Sequence, residues 1–129
     1  MYSLFLVMAG GAVGSGARFL TGRALLSLLG PEYPWGTLTV NLFGGFLMGA
    51  LVGTLARLSV PGENWRLLLA VGVLGGFTTF SAFSLDTVAM IERGDMLPAA
   101  LYVLVSVIGS CVALFAGLSV ARMISGHWA

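Results

Sequence analysis

The sequence predicts an all-α integral membrane protein with four transmembrane helices. Of its 129 residues, 58% are hydrophobic and only 9% are charged, and the mean hydropathy is +1.01. Soluble domains carry about 25% charged residues, so this chain lacks the charges to cover a soluble surface. Between its few charges lie four apolar segments, and about 20 apolar residues suffice to cross a bilayer as a helix. We expect one membrane domain over residues 1–129, with spans at about 3–29, 33–56, 66–91 and 96–122.

The first segment is uncharged as far as Ala17 and continues past Arg18 and Arg23. It can span the bilayer if Arg18 faces protein or water rather than lipid. Its small residues recur in steps of four, at Gly10, Gly14 and Gly22, with Arg18 in the same series. A secretory signal peptide is the alternative, but no basic region precedes the apolar run. We therefore expect a packed first helix.

The second segment follows Pro31 and Pro34 and carries a stripe of Asn41, Gly45, Gly49 and Gly53. Residues four apart share a face of a helix, and small residues on that face let two helices approach closely in lipid. We assign the three glycines to helix packing. Packing does not explain Asn41, because an amide in hydrocarbon is costly unless it is satisfied or functional.

The third segment contains the pair Gly75-Gly76, followed by Thr78 and Thr79. Adjacent glycines continue a helix poorly, and a break would free backbone carbonyls that suit a small cation such as sodium. The alternative is an uninterrupted helix whose threonine hydroxyls bond to the preceding turn. The pattern favours a helix that is broken near the middle of the membrane.

Neutral hydrogen-bonding groups dominate the rest of the spans. After the glycine pair, Phe80 and Phe83 share a helix face, and the fourth segment carries Tyr102, Ser106 and Ser110 in steps of four. No carboxylate lies in the central third of any span, which excludes a carboxylate-based proton exchanger. Such a set of neutral donors suits a small anion that exchanges water for protein hydrogen bonds.

The chain lacks the residues that several other classes of protein require. Cys111 is the only cysteine and His127 the only histidine, which excludes a disulfide within the chain, cysteine–histidine metal clusters and Ser/His/Asp triads. The chain has six arginines, no lysine and a net charge of +1, so it offers no basic patch for nucleic acid. We expect that the protein is not an enzyme.

The arginines do not set an orientation. With both termini on one side, Arg57, Arg66 and Arg122 lie on that side and the other three on the opposite side. Because an excess of arginine and lysine decides topology, this tie has two interpretations. Either a small bias inserts the chain one way, or copies insert both ways and pair antiparallel.

Three motifs resemble the CrcB/Fluc fluoride channels, and the likeness covers essentially the whole chain. They are Thr37-Leu-Thr-Val-Asn41-Leu-Phe-Gly44, Gly75-Gly-Phe-Thr-Thr-Phe-Ser-Ala-Phe-Ser84 and Tyr102-xxx-Ser106-xx-Gly-Ser110. The resemblance implies passive fluoride export across a bacterial inner membrane by an antiparallel, dual-topology homodimer with two pores and a central structural sodium ion.

The resemblance also implies roles for particular residues. Backbone carbonyls of Gly75 and Thr78 from each subunit would hold the sodium ion. The fluoride pathway would comprise Asn41, Phe80, Phe83, Tyr102 and Ser110, with Arg18 in the vestibule.

Two positions depart from the family pattern. Ala82 stands where threonine is usual and Asp86 where glutamate is usual, and Ser106 receives no firm role.

Two rival functions stay open. One rival is a small multidrug-resistance exporter, although the first span lacks the acidic residue of that family. The other is a holin-like protein or a membrane assembly subunit, which has no need of the polar set.

Overall fold

The computed structural model describes residues 1–58 and 62–126, and the regular structure in these ranges is entirely helical. Helix α1 covers Tyr2–Leu29, α2 covers Trp35–Leu55, α3 covers 63–77, α4 covers Phe80–Glu92 and α5 covers Met96–Gly126. Four stretches are long and apolar enough to cross a membrane: Tyr2–Leu29, Trp35–Leu55, Glu63–Glu92 and Met96–Ile124. The third of these comprises α3 and α4. His127 lies outside the described residues.

Short turns join the helices where the sequence supplies glycine or proline. Helix α1 ends at Gly30, whose φ of 84° is accessible to glycine at little cost and whose N–H donates to the Leu26 carbonyl. Pro34 precedes α2, where its missing N–H removes no helical hydrogen bond. Gly94, with φ of 85°, turns the chain between α4 and α5. These turns leave no room for a further domain between the described helices.

Helices α2 and α5 form the most extensive contact, and glycines make it possible. A methyl group at Gly49 would overlap the carbonyl oxygen of Leu114, and one at Gly45 would lie 3.0 Å from the carbonyl oxygen of Ser110. At Gly53 an added Cβ would lie 2.7 Å from the Cβ of Ala121. The two backbones therefore approach as closely as bare glycine allows.

Helix α1 packs against α3 in the same manner. A methyl group at Gly10 or Gly14 would overlap a backbone carbonyl of α3, and one at Gly76 would lie 2.8 Å from the carbonyl oxygen of Gly11. Glycines from both helices thus share one contact. This explains why α3 carries glycine at Gly76, which contacts α1 directly.

The buried core is small, and the outer surface is apolar. Leu38, Phe83, Met90, Ala99 and Tyr102 form the main buried cluster. Large apolar side chains elsewhere are exposed on the protomer; they include Phe5, Phe19, Leu28, Leu85, Val112 and Phe115. In a membrane, this surface contacts lipid tails or another protein chain.

Candidate functional site

The backbone leaves helical geometry between α3 and α4. Residues 66–74 of α3 are wound as a π-helix, and Gly75 and Gly76 continue it with helical dihedral angles. Thr78 (φ −83°, ψ 159°) and Thr79 (φ −153°, ψ 123°) are extended, and α4 begins at Phe80. The extended residues therefore follow the glycine pair, which is itself helical, by two positions.

Asn41 of α2 occupies the gap that the extended residues open. Its Oδ1 accepts a hydrogen bond from the Thr79 N–H at 2.8 Å, and its Nδ2 donates to the Thr79 carbonyl at 3.0 Å. A half-buried amide is thus satisfied by both backbone groups of one extended residue. We call this pair of hydrogen bonds the Asn41 clamp. It holds the extended backbone in place of the helical partners that Thr79 lacks.

The Asn41 clamp and the Thr79 hydroxyl, which caps the start of α4, each bond a backbone N–H that would have another partner in a continuous helix. In a continuous helix, the Thr79 N–H would bond the Gly75 carbonyl and the Ala82 N–H would bond the Thr78 carbonyl. Here the first donates to Asn41 and the second to the Thr79 hydroxyl, at 3.2 Å. The carbonyls of Gly75 and Thr78 are therefore released from their usual helical donors.

A cleft of about 380 Å³ lies beside the clamp, between α2, α4 and α5. The side chains with hydrogen-bonding or aromatic groups that line it are Asn41, Thr78, Thr79, Phe80, Phe83, Ser106 and Ser110. Gly44, Gly45, Met48, Val107, Cys111 and Leu114 complete its walls. Among the described residues, no carboxylate and no arginine lines the cleft.

Ser106 lines the cleft, although the sequence motifs assign it no firm role. It is only 5% exposed, and its Oγ forms no hydrogen bond with any described residue. Buried hydroxyls are almost always satisfied, so this group is available to water or a ligand in the cleft. Its four-residue spacing from Tyr102 and Ser110 was the signal that could have identified it.

The two phenylalanines occupy different depths at the cleft. Phe83 is 8% exposed, whereas Phe80 is 76% exposed on the protomer. Their ring centroids are 5.5 Å apart, and the planes are tilted by 50°. The edges of both rings carry the positive side of the ring quadrupole.

Tyr102 lies behind this pair rather than in the cleft wall. Its side chain is fully buried, with its ring 5.2 Å from that of Phe83 and 5.7 Å from that of Tyr33. Its hydroxyl donates to Oδ2 of Asp86 at 3.1 Å. The carboxylate at the position that departs from the family pattern therefore bonds a residue assigned to the pathway.

Arg18 does not line the cleft either. Its Nε donates to the carbonyl oxygen of Gly76 at 3.1 Å, which ties α1 to the end of α3 just before the extended residues. In this structure the guanidinium satisfies one backbone carbonyl of the turn that holds Gly75. The structure thus gathers four of the six predicted pathway residues, Asn41, Phe80, Phe83 and Ser110, around one cleft.

Comparison with known proteins agrees with the sequence motifs. A family model described as CrcB-like protein, Camphor Resistance (CrcB), matches residues 5–118. A protein of Chelativorans sp. named fluoride-specific ion channel FluC is 56% identical over 124 residues, covering 96% of this chain and 99% of that protein. A protein of the same name from Caulobacter vibrioides is 54% identical, and one from Sphingopyxis alaskensis is 52% identical. Each of these two alignments covers 96% of this chain and 98% of the relative. The sequence motifs, the family-model match and the nearly full-length alignments together show that the chain belongs to the CrcB family.

Proposed function

We propose that this protein is a fluoride-specific ion channel of the bacterial inner membrane. The observation that carries the proposal is the cleft, in which neutral donors and phenyl edges from three helices surround one space. The relatives at 52–56% identity that carry the name fluoride-specific ion channel support it. Passive movement through such a cleft would lower cytoplasmic fluoride.

The groups in the cleft suit a small, strongly hydrated anion. Ser106 and Ser110 offer hydroxyl donors, and Asn41 retains a second N–H beyond the one that bonds Thr79. Phe80 and Phe83 offer ring edges of positive quadrupole. Neutral donors replace hydration without the strong trapping that a fixed cation would cause, and a narrow passage rejects larger anions.

We propose that the working unit is an antiparallel, dual-topology homodimer with two pores. The three-to-three arginine distribution supports insertion in both orientations. The exposed face of Phe80 supports a second copy, because a single protomer leaves the cleft open on that side. In a Cys111→Ser background, a single cysteine at the N-terminus should be labelled on about half of the copies from each side of the vesicle. Labelling of nearly all copies from one side would contradict dual topology.

We further propose that the released carbonyls of Gly75 and Thr78 hold a structural sodium ion. Unsatisfied carbonyls in hydrocarbon cost several kcal/mol each, so a cation at this position would stabilise the extended turn. Two copies would supply an uncharged cage of oxygens, which suits a monovalent ion better than a divalent one. The ion's positive charge would favour an anion in the adjacent cleft.

Features of the chain weigh against the two rival functions. The first span contains no aspartate or glutamate, so a proton-coupled multidrug exporter of the small four-span type would lack its acidic residue. A holin-like protein or an assembly subunit would not need the Asn41 clamp or a buried serine without a partner.

Fluoride efflux from proteoliposomes tests the proposal directly. Purified protein is reconstituted with internal potassium fluoride, and efflux is followed with a fluoride electrode after a potassium ionophore is added. We expect rapid fluoride efflux and none of chloride from matched vesicles. Efflux no faster than from protein-free vesicles, with correctly inserted protein, would refute the function.

A further inference from the structure

The break between α3 and α4 leaves the carbonyl of Gly76 without its helical donor. In a continuous helix this oxygen would accept from the N–H of Phe80. Phe80 instead begins α4 after two extended residues, and the described backbone shows no hydrogen bond between these two groups. The Thr78 N–H still donates to the Leu74 carbonyl at 3.0 Å, so the helical hydrogen bonds of α3 extend only to that residue. A carbonyl at the C-terminal end of a membrane helix therefore needs a donor from elsewhere.

Arg18 of α1 supplies this donor, and glycine packing brings it into place. A methyl group at Gly14 would overlap the Val73 carbonyl oxygen and lie 2.9 Å from the Phe77 nitrogen, so α1 and the end of α3 are in backbone contact. Arg18 stands four residues after Gly14 and thus on the same face of α1. Its Nε donates to the Gly76 carbonyl at 3.1 Å, across 58 positions of sequence. The lost helical bond is thus replaced by a tertiary one.

The positive charge of Arg18 is compatible with this place. Arg18 forms no salt bridge with any residue in the described ranges, and its side chain is half-buried. A cation is favoured at the C-terminal end of a helix, where the orphan carbonyls carry partial negative charge. A hydrogen bond from a charged donor is also stronger than one from a neutral donor. The arginine and the end of α3 therefore stabilise each other inside the membrane domain.

We propose that Arg18 is a positioning residue for the extended turn, and that the channel requires its donor group rather than its charge. The turn is held at both ends by side chains of other helices. Arg18 binds the carbonyl of Gly76, and the Asn41 clamp binds both backbone groups of Thr79. Phe80 follows the second contact directly, so the two contacts fix where α4 and its phenyl rings begin. This inference deepens the proposed channel function and rests on it.

The bond at Gly76 also bears on the proposed sodium site. An oxygen that accepts from a guanidinium faces a positive charge, which makes it a poor ligand for a metal cation. The carbonyls of Gly75 and Thr78 are not bonded to Arg18. Each copy therefore offers the ion two carbonyls of the turn and withholds the one that lies between them in sequence.

The alternative role for an arginine near an anion pathway is to attract fluoride from water by its charge. The two roles differ in their kinetics. Attraction raises the local fluoride concentration and weakens with ionic strength, so its loss raises the half-saturating fluoride concentration. A displaced turn instead misplaces the groups of the cleft, so it lowers the maximal rate of efflux and leaves the half-saturating concentration unchanged.

Three substitutions on α1 separate the donor from the charge. Arg18→Gln keeps an N–H donor as many bonds from the backbone as Nε but removes the charge, whereas Arg18→Met keeps the length and removes both. Arg23→Met is the matched control, because Arg23 is exposed on the same helix and contacts the ring of Phe19 at 5.8 Å. Each full-length variant is measured by amide hydrogen exchange at Thr79 in detergent micelles, and by fluoride efflux from proteoliposomes over a range of fluoride concentrations.

We expect Arg18→Met to speed exchange of the Thr79 amide about tenfold, the effect of losing roughly one hydrogen bond. It should also lower the maximal rate of efflux without changing the half-saturating fluoride concentration. Arg18→Gln should stay within about threefold of wild type in both measurements, because its neutral bond is weaker but present. Arg23→Met should match wild type.

Equal behaviour of Arg18→Gln and Arg18→Met in exchange, in efflux or in failure to fold would overturn the proposal. So would a loss in Arg23→Met as large as that in Arg18→Met. A raised half-saturating concentration in both Arg18 variants, with unchanged exchange, would assign Arg18 to the attraction of fluoride instead. Failure of Arg18→Met alone to fold, while Arg18→Gln folds and conducts, would support the donor role. Amide exchange requires no fluoride, so it decides the donor role even if wild type carried none and the proposed function failed.

Discussion

Replacement of Asn41 by alanine should destabilise the protein and stop fluoride flux together. The side chain satisfies both backbone groups of Thr79, at 2.8 and 3.0 Å. Each hydrogen bond contributes about 1 kcal/mol net, and a buried group left without its partner costs about 1–3 kcal/mol. We therefore expect Asn41→Ala to lower the free energy of unfolding by about 2–4 kcal/mol.

Asn41→Asp separates the two roles of this residue. An ionised carboxylate still accepts from the Thr79 N–H but cannot donate to the Thr79 carbonyl, and it places a negative charge in the cleft. We expect Asn41→Asp to lower the free energy of unfolding by less than Asn41→Ala does, but to abolish anion flux completely. The measurements are unfolding in mixed detergent micelles and fluoride efflux from proteoliposomes.

Thr54→Ala is the matched control on the same helix. The Thr54 hydroxyl is exposed and donates only to the carbonyl of Ala50, at 2.7 Å. Its loss should change the free energy of unfolding by less than about 0.5 kcal/mol, as is usual for surface substitutions. If Asn41→Ala is no less stable than Thr54→Ala, the Asn41 clamp does not hold the extended backbone.

Further substitutions test the cleft, the proposed sodium site and the helix contact. Phe83→Ile removes a ring edge at similar bulk and should slow or stop fluoride efflux while the fold persists; wild-type efflux would mean that the ring only packs. Thr78→Ser should keep the sodium site because the ligand is backbone, whereas Gly75→Val should weaken the dimer measured by cross-linking, although the protomer itself has room there. Exchange of sodium for a bulky organic cation should lower both flux and dimer stability, and unchanged values after prolonged removal would refute the site. Gly49→Val should force α2 from α5 and cost about 1–3 kcal/mol or more, whereas Gly16→Val, which meets no atom within 4 Å, should be tolerated; equal stability of these two variants would contradict the glycine contact.

Hydropathy predicts four long apolar helices, because each span has to be apolar along its whole length. The predicted spans at 3–29 and 33–56 differ from Tyr2–Leu29 and Trp35–Leu55 by two residues or fewer at each end. The grouping of Asn41 with Phe83 and Ser110 followed from motifs that belong to a family rather than from periodicity. Composition and periodicity alone predict only a polar set that suits an anion.

The exact position of the extended backbone could not be predicted locally. Local propensity pointed to Gly75 and Gly76, but both residues are helical, and α1 packs directly on Gly76. The extended conformation falls at Thr79, where an amide 38 residues away supplies the hydrogen bonds. Tyr102 illustrates the same limit, since its bond to Asp86 depends on the packing of α4 against α5. Contacts between distant segments decide these details.

The glycine contact between α2 and α5 bears on how precisely the cleft can discriminate by size. Asn41 and Ser110 stand on these two helices, and the backbone at Gly45 meets the backbone at Ser110 with no side chain between them. A separation fixed by main-chain atoms does not vary with rotamer changes, which occur in picoseconds to nanoseconds for mobile side chains. The spacing of the two helix backbones that carry these donors is therefore independent of side-chain rotamers. Rigidity of this kind lets uncharged groups reject a larger anion through geometry alone.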